Sequence, residues 1–200
     1  LSFSEKEGIF VGVNGTDMRV LSILLILSCL VSCSSGDKKA RIVASKGLPS
    51  ELLRVVDDDI WNSDIADTLK AITQGAVPGL MQEEPFFKTA RISSRYYAQK
   101  HTTFHSKLFV HLDSKLKSAK IGVSRDVDAK PQIEVMVGAP NIDLLRKFLS
   151  ERAPYIRGII DDAQIEMRAD NLRKHYNGDM EQKFTSAVGY GMKVPEQIKA

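Results

Sequence analysis

Apolar residues change their period partway along this chain, and that change restricts the folds open to it. From Leu108 to Val137 they recur at every second position: Leu108, Val110 and Leu112, then Ile121 and Val123, then Ile133, Val135 and Val137. Period two with one apolar face marks half-covered strands. From Leu145 onward they recur at every third or fourth position, through Leu149, Ile156, Ile160, Ala163 and Met167, as in helices with one apolar stripe. The two patterns together predict an α+β domain, an antiparallel-rich sheet covered by helices in a two-layer sandwich.

The remaining elements follow from local signals. Glu51 to Val56 reads as a buried strand between the turn residues Gly47-Leu48-Pro49-Ser50 and the acidic run Asp57-Asp58-Asp59. A helix is expected from about Ile60 to Gln74, carried by Trp61, Ile65, Leu69 and Ile72 and stopped by Gly75. Pro85 makes 81–87 an extended loop or edge element before a strand near Lys88 to Ile92. Asn141 is placed to cap a helix through Leu149, Pro154 to open a second one, and a short helix from about Met180 ends at Gly189. Val194-Pro195-Glu196 opens an element that does not finish by Ala200, so the domain is expected to be C-terminally truncated.

The N-terminal segment reads as an address. Met18 and Arg19 precede an apolar run from Val20 to Val31, which leads to Ser32 and Cys33. That is the layout of a signal peptide. A dozen apolar residues fall short of the roughly 20 that a helix needs to span a bilayer core. Leu30-Val31-Ser32-Cys33 resembles the bacterial lipobox at every position. The resemblance implies cleavage between Ser32 and Cys33 and lipidation of the Cys33 thiol. Because one acyl chain binds a membrane only marginally, two or three make the anchor durable. Cys29, after Ile26-Leu27-Ser28, is a weaker second lipobox. The expected organisation is therefore 1–17 as non-native upstream translation, 18–32 as signal peptide, 33–46 as flexible tether and 47–200 as folded domain.

Charge and cysteine usage exclude several classes. A net charge of +3, with basic residues scattered among acidic ones, lacks the footprint of a nucleic-acid binder. The only cysteines are Cys29 and Cys33, so the chain beyond them has no disulfide and no thiolate metal site.

Candidate chemistry is sparse. Asp57, Asp58 and Asp59 at a strand end are the most suggestive group, since oxygen-rich clusters suit Mg²⁺ or Ca²⁺. Capping and dipole preference at a helix start explain the same residues without a metal, and that reading is preferred. His101 and His105 are four apart, but the residues between them favour strand over helix, so no metal pair is assigned. Arg125 and Asp126, after Ser124, offer either an anion-binding fork or a strand-end turn with an ion pair, and the turn is preferred. Trp61, Phe86, Phe87, Tyr96 and Tyr97 read as packing anchors before a sugar-stacking surface. No catalytic constellation, cofactor motif or metal-ligand set is identified.

Several short marks resemble domain-of-unknown-function family 4837, envelope lipoproteins of Bacteroidota-type bacteria. They are the lipobox cysteine, the acid-rich strand end with Trp61, Gln82-x-Glu84-Pro85-x-Phe87, Ser124-Arg125-Asp126 with Pro131-Gln132, and Gly189-Tyr190 near Pro195. Met81 departs from the proline expected before that glutamine. The resemblance implies a location and no reaction. The expectation is a lipid-anchored envelope lipoprotein, held by its membrane anchor and binding an envelope protein or glycan without catalysis. Ser34 after the lipidated cysteine is compatible with an outer-membrane position facing the periplasm. The rival expectation is a metal-dependent hydrolase using the carboxylates after the first strand.

Overall fold

A computed structural model describes residues 42–198. Ser32 and Cys33, with the expected signal peptide and most of the tether, lie outside the described residues. The elements are β1 (Val43–Ala44), β2 (Glu51–Val56), α1 (Asp58–Trp61), α2 (Ile65–Gln74), β3 (Lys88–Ile92), α3 (Ser94–Lys100), β4 (Ser106–Leu112), β5 (Lys120–Arg125), β6 (Ala129–Lys130), β7 (Ile133–Ala139), α4 (Ile142–Lys174) and α5 (Gly178–Val188). Five strands form one sheet in the order β3-β2-β4-β7-β5, and β1 pairs with β6 separately.

The mixture of α and β is as expected, but the antiparallel-rich sheet is not. β2 runs parallel to β3 and β4, β4 runs parallel to β7, and only β5 is antiparallel to its neighbour. Alternation along a strand reports which face is buried and says nothing of direction. Direction follows from the connections: α1 and α2 lie between β2 and β3, and α3 lies between β3 and β4, so each crossover returns the chain to the same end of the sheet.

One face carries the core. Leu52, Val56, Leu108, Val110, Ile133, Val135 and Val137 pack against Ile65, Leu69 and Ile72 of α2 and Leu145, Leu149, Ile156 and Ile160 of α4. Each such side chain contributes about 1.5–3 kcal/mol on burial. The opposite face carries Lys107, Phe109, Glu134 and Met136, following the strand register. It is covered in part by α3, whose Tyr97 ring meets Phe109 edge-on with centroids 4.9 Å apart.

Four local expectations are revised. The helix expected over 60–74 is two helices, because Ser63 Oγ donates to the Ile60 carbonyl at 2.6 Å and accepts from Ile65 N–H at 3.3 Å. That side chain supplies bonds the backbone would otherwise make, and the helix restarts. The two helices expected on either side of Pro154 are one continuous α4 with the proline inside it. Pro154 is on the exposed side, while the buried stripe runs without interruption from Leu145 to Ala163. The stretch 101–104 is a helix end and turn rather than a strand, with His101 as the C-cap of α3. Finally, the tether expected to reach residue 46 is already part of the fold, since Val43 and Ala44 pair with Ala129 and Lys130, and Lys46 N–H donates to the Thr103 carbonyl at 2.8 Å.

Candidate functional site

The loop after β1, the start of β4 and the second half of α4 enclose a cleft of about 550 Å³. That size lies within the range that takes small ligands or a short peptide segment. Its walls mix apolar groups, such as Leu48, Met167 and Leu172, with polar ones, such as Arg168, Asn171 and His175.

A buried hydrogen-bond chain forms the floor. His105 Nε2 donates to the Leu48 carbonyl at 2.8 Å, and Ser106 Oγ donates to His105 Nδ1 at 2.7 Å. Gln164 Nε2 donates to Ser106 Oγ at 3.1 Å and to the Glu51 carbonyl at 3.0 Å, while its Oε1 accepts from Ser50 N–H at 3.0 Å. Burial lowers the His105 imidazole from its ordinary value, against the opposing pull of the Leu48 carbonyl. The neutral ring fits one donor and one acceptor. Gly47 makes this packing possible, for its φ is 119° and a Cβ there would overlap the His105 ring.

The arrangement recognises more readily than it reacts. Ser106 is fully buried, and both its neighbours are already committed. It therefore lacks the access that an activated nucleophile needs.

On the opposite face, Lys107 is fully buried beside Glu134. Its ammonium also donates to Tyr97 Oη at 2.5 Å and to the Thr102 carbonyl at 2.7 Å, with Asp128 at 3.2 Å. Burial alone would lower its pKa, but the bonds to Glu134 and Tyr97 outweigh that and raise it. Gln132 closes the same region, donating to the Thr102 and Phe104 carbonyls at 2.7 and 2.9 Å.

The residues singled out from sequence are dispersed. Asp57 is the N-cap of α1 without a side-chain capping bond. Asp58 is bound by Arg91, and by Arg95 at 2.7 Å; the bond from Arg91 is the main reason its carboxyl is held below the usual range. Asp59 is exposed. Arg125 pairs with Glu166 of α4 at 2.7 Å, while Asp126 accepts from Gln132 N–H at 2.9 Å and from Lys130 at 3.1 Å. Asp126 thus closes a strand-end turn, at a φ of 54°. Of the residues weighed as candidate chemistry, His105 is the one in the cleft, and no local signal points there, because Leu48 and Gln164 lie 57 and 59 positions away.

These features define an α+β domain with a mostly parallel sheet, two helices on its core face and a cleft at the amino ends of β2 and β4. The chain belongs to the family described as Domain of unknown function (DUF8532), which matches residues 45–173. The match spans β2 to the last turn of α4 and leaves α5 outside it. It is a different family from family 4837, and nothing in the match supports the resemblance to the latter. No curated protein and no solved structure matches the chain at a significant level.

Proposed function

We propose that this chain is a lipid-anchored cell-envelope protein whose domain binds an envelope protein or glycan in the cleft beside its amino-terminal edge, without catalysis. The anchor reading rests on Leu30-Val31-Ser32-Cys33. Cys33 stands nine positions before Ile42, where the described residues begin. An outer-membrane position facing the periplasm agrees with Ser34 after the cysteine.

The observation that carries the binding role is the hydrogen-bonded chain of His105, Ser106 and Gln164, which fixes the cleft floor and commits its imidazole and hydroxyl to protein partners. Asp58 is committed to two guanidinium groups, which counts against a metal-dependent hydrolase.

The intact chain, expressed in a bacterial host fed an alkyne analogue of palmitate, is expected to incorporate label and to fractionate with membranes. Cys33→Ala should abolish both. A photo-cross-linking side chain at Asn171, on the cleft rim, should give a discrete adduct that Met167→Trp removes by filling the cleft. Unlabelled wild-type protein refutes the anchor, and an adduct indifferent to Met167→Trp refutes the cleft.

A further inference from the structure

Four buried side-chain polar atoms lack a hydrogen-bond partner among the described residues, and three of them stand on the paired strands β2 and β3: Arg54 Nε, Arg91 Nε and Thr89 Oγ1. Arg54 on β2 and Arg91 on the edge strand β3 are register partners near the carboxyl ends of their strands. Thr89 is two residues before Arg91 and shares its face. Both guanidinium groups flank Trp61, with their Cζ atoms 4.9 and 5.3 Å from the ring centroid.

The charges here do not balance. Arg54 is 5 % exposed, yet its one hydrogen bond is a 3.3 Å contact from Nη1 to Thr73 Oγ1, and no carboxylate pairs with it among the described residues. Arg91 shares Asp58 with Arg95, and Lys70, also over Trp61, is paired with Asp67. Four cations therefore meet two paired carboxylates, leaving two positive charges in excess (4 − 2). Asp57 and Asp59, on either side of Asp58, form no ion pair with them. Stacking on Trp61 offsets part of the cost of a buried cation but uses none of its N–H donors.

We propose that this cluster is an oxyanion site, taking a phosphate- or carboxylate-bearing ligand between Arg54 and Arg91 beside Trp61. Two planar guanidinium forks suit such groups, each able to give two parallel N–H···O bonds. The Thr89 hydroxyl supplies a further donor. Asp58 is 39 % exposed and is the internal carboxylate that an arriving anion displaces from Arg91. The position, at the carboxyl ends of parallel strands, is where such sheets leave room for ligands. Burial, and then the Arg91 charge, lowers the Arg54 guanidinium from its ordinary value, in keeping with a cation that lacks a counter-ion.

Trp61 is the only tryptophan, so its fluorescence reports on this cluster alone. Titrating the intact chain with inorganic phosphate, and separately with acetate, at constant ionic strength in chloride should give a saturable change and a raised Tm. Saturation by phosphate alone assigns a phosphate ligand, and saturation by both assigns a general oxyanion. Arg54→Met should weaken the apparent affinity by about tenfold or more, as expected for the loss of a charge-assisted fork. Asp58→Asn should tighten it severalfold by freeing Arg91, a result that a purely structural Arg54 does not produce. Arg91→Gln and Thr89→Val give the same comparison if Arg54→Met does not fold. A non-saturating response in the wild type, or equal affinity in Arg54→Met, overturns the assignment.

Discussion

Lys107 shows how much of this molecule rests on groups that a reading of sequence places in solvent. It stands between Ser106 and Leu108 on a strand whose even-numbered residues face the core, so alternation assigns it to the wet side. It is buried because α3 and the segment around Gln132 fold over that side, and no local pattern announces a cover supplied from distant positions. Removing one member of a buried pair leaves the other unpaired, so Lys107→Met should cost about 3–5 kcal/mol in urea unfolding. Lys107→Met combined with Glu134→Leu should recover most of that, and a double variant as unstable as the single one would show that the pair is not the cause. His105 gives a prediction of opposite chemistry. Its pKa is lowered in the fold, so its contribution is full above the unfolded value of about 6.5 and is lost as pH falls below that. Stability should therefore decline from pH 7 toward pH 5. His105→Gln should flatten this part of the profile, and a decline that persists unchanged in the variant would reject the assignment.

Among the elements, existence was more legible than direction or continuity. β2 and β3 begin and end where turn residues, proline and alternation put them, because those signals are local. The parallel pairing is not legible because alternation carries no direction, and the crossover α3 is equally silent: Ser94 to Lys100 contains only one aliphatic residue, Ala98, and so shows no apolar stripe. α4 was hidden for a different reason, since a proline ordinarily marks a boundary. Here the buried stripe continues on both sides of Pro154, and packing against β7 and α2 outweighs the bond that proline cannot make to the Ser150 carbonyl. If that account holds, the proline is a net cost carried on an exposed side. Pro154→Ala should then raise stability by roughly 1–3 kcal/mol, read from the urea midpoint at unchanged slope. A loss of stability would instead mean that the helix is shaped around the ring.

The long α4 also organises how the domain should come apart. Its residues Leu145 to Ala163 lie on the sheet core, whereas α5, beyond its C-terminal end, has no buried residue. What holds the C-terminal segment is slight: Asn177 N–H donates to the Val194 carbonyl at 2.8 Å, Tyr176 bridges Pro195, and Val194 is the one buried apolar side chain there among the described residues. The family match stops at Arg173, at the same change from packed to unpacked helix. Opening free energies across one protein range from near zero to the global value, following buried contact. Amides of β2, β4, β7 and α4 between Leu145 and Ala163 should therefore exchange with deuterium only through global unfolding, sharing one free energy. Amides of α5 should exchange far sooner, through a local opening that leaves the sheet intact and that denaturant scarcely affects. Added denaturant then distinguishes the two groups, because global opening exposes much surface and accelerates steeply. If α5 instead proved as protected as the strands, with the same denaturant dependence, the C-terminal helix would be part of the cooperative unit, and the cleft wall that Pro195 forms would be as fixed as its floor.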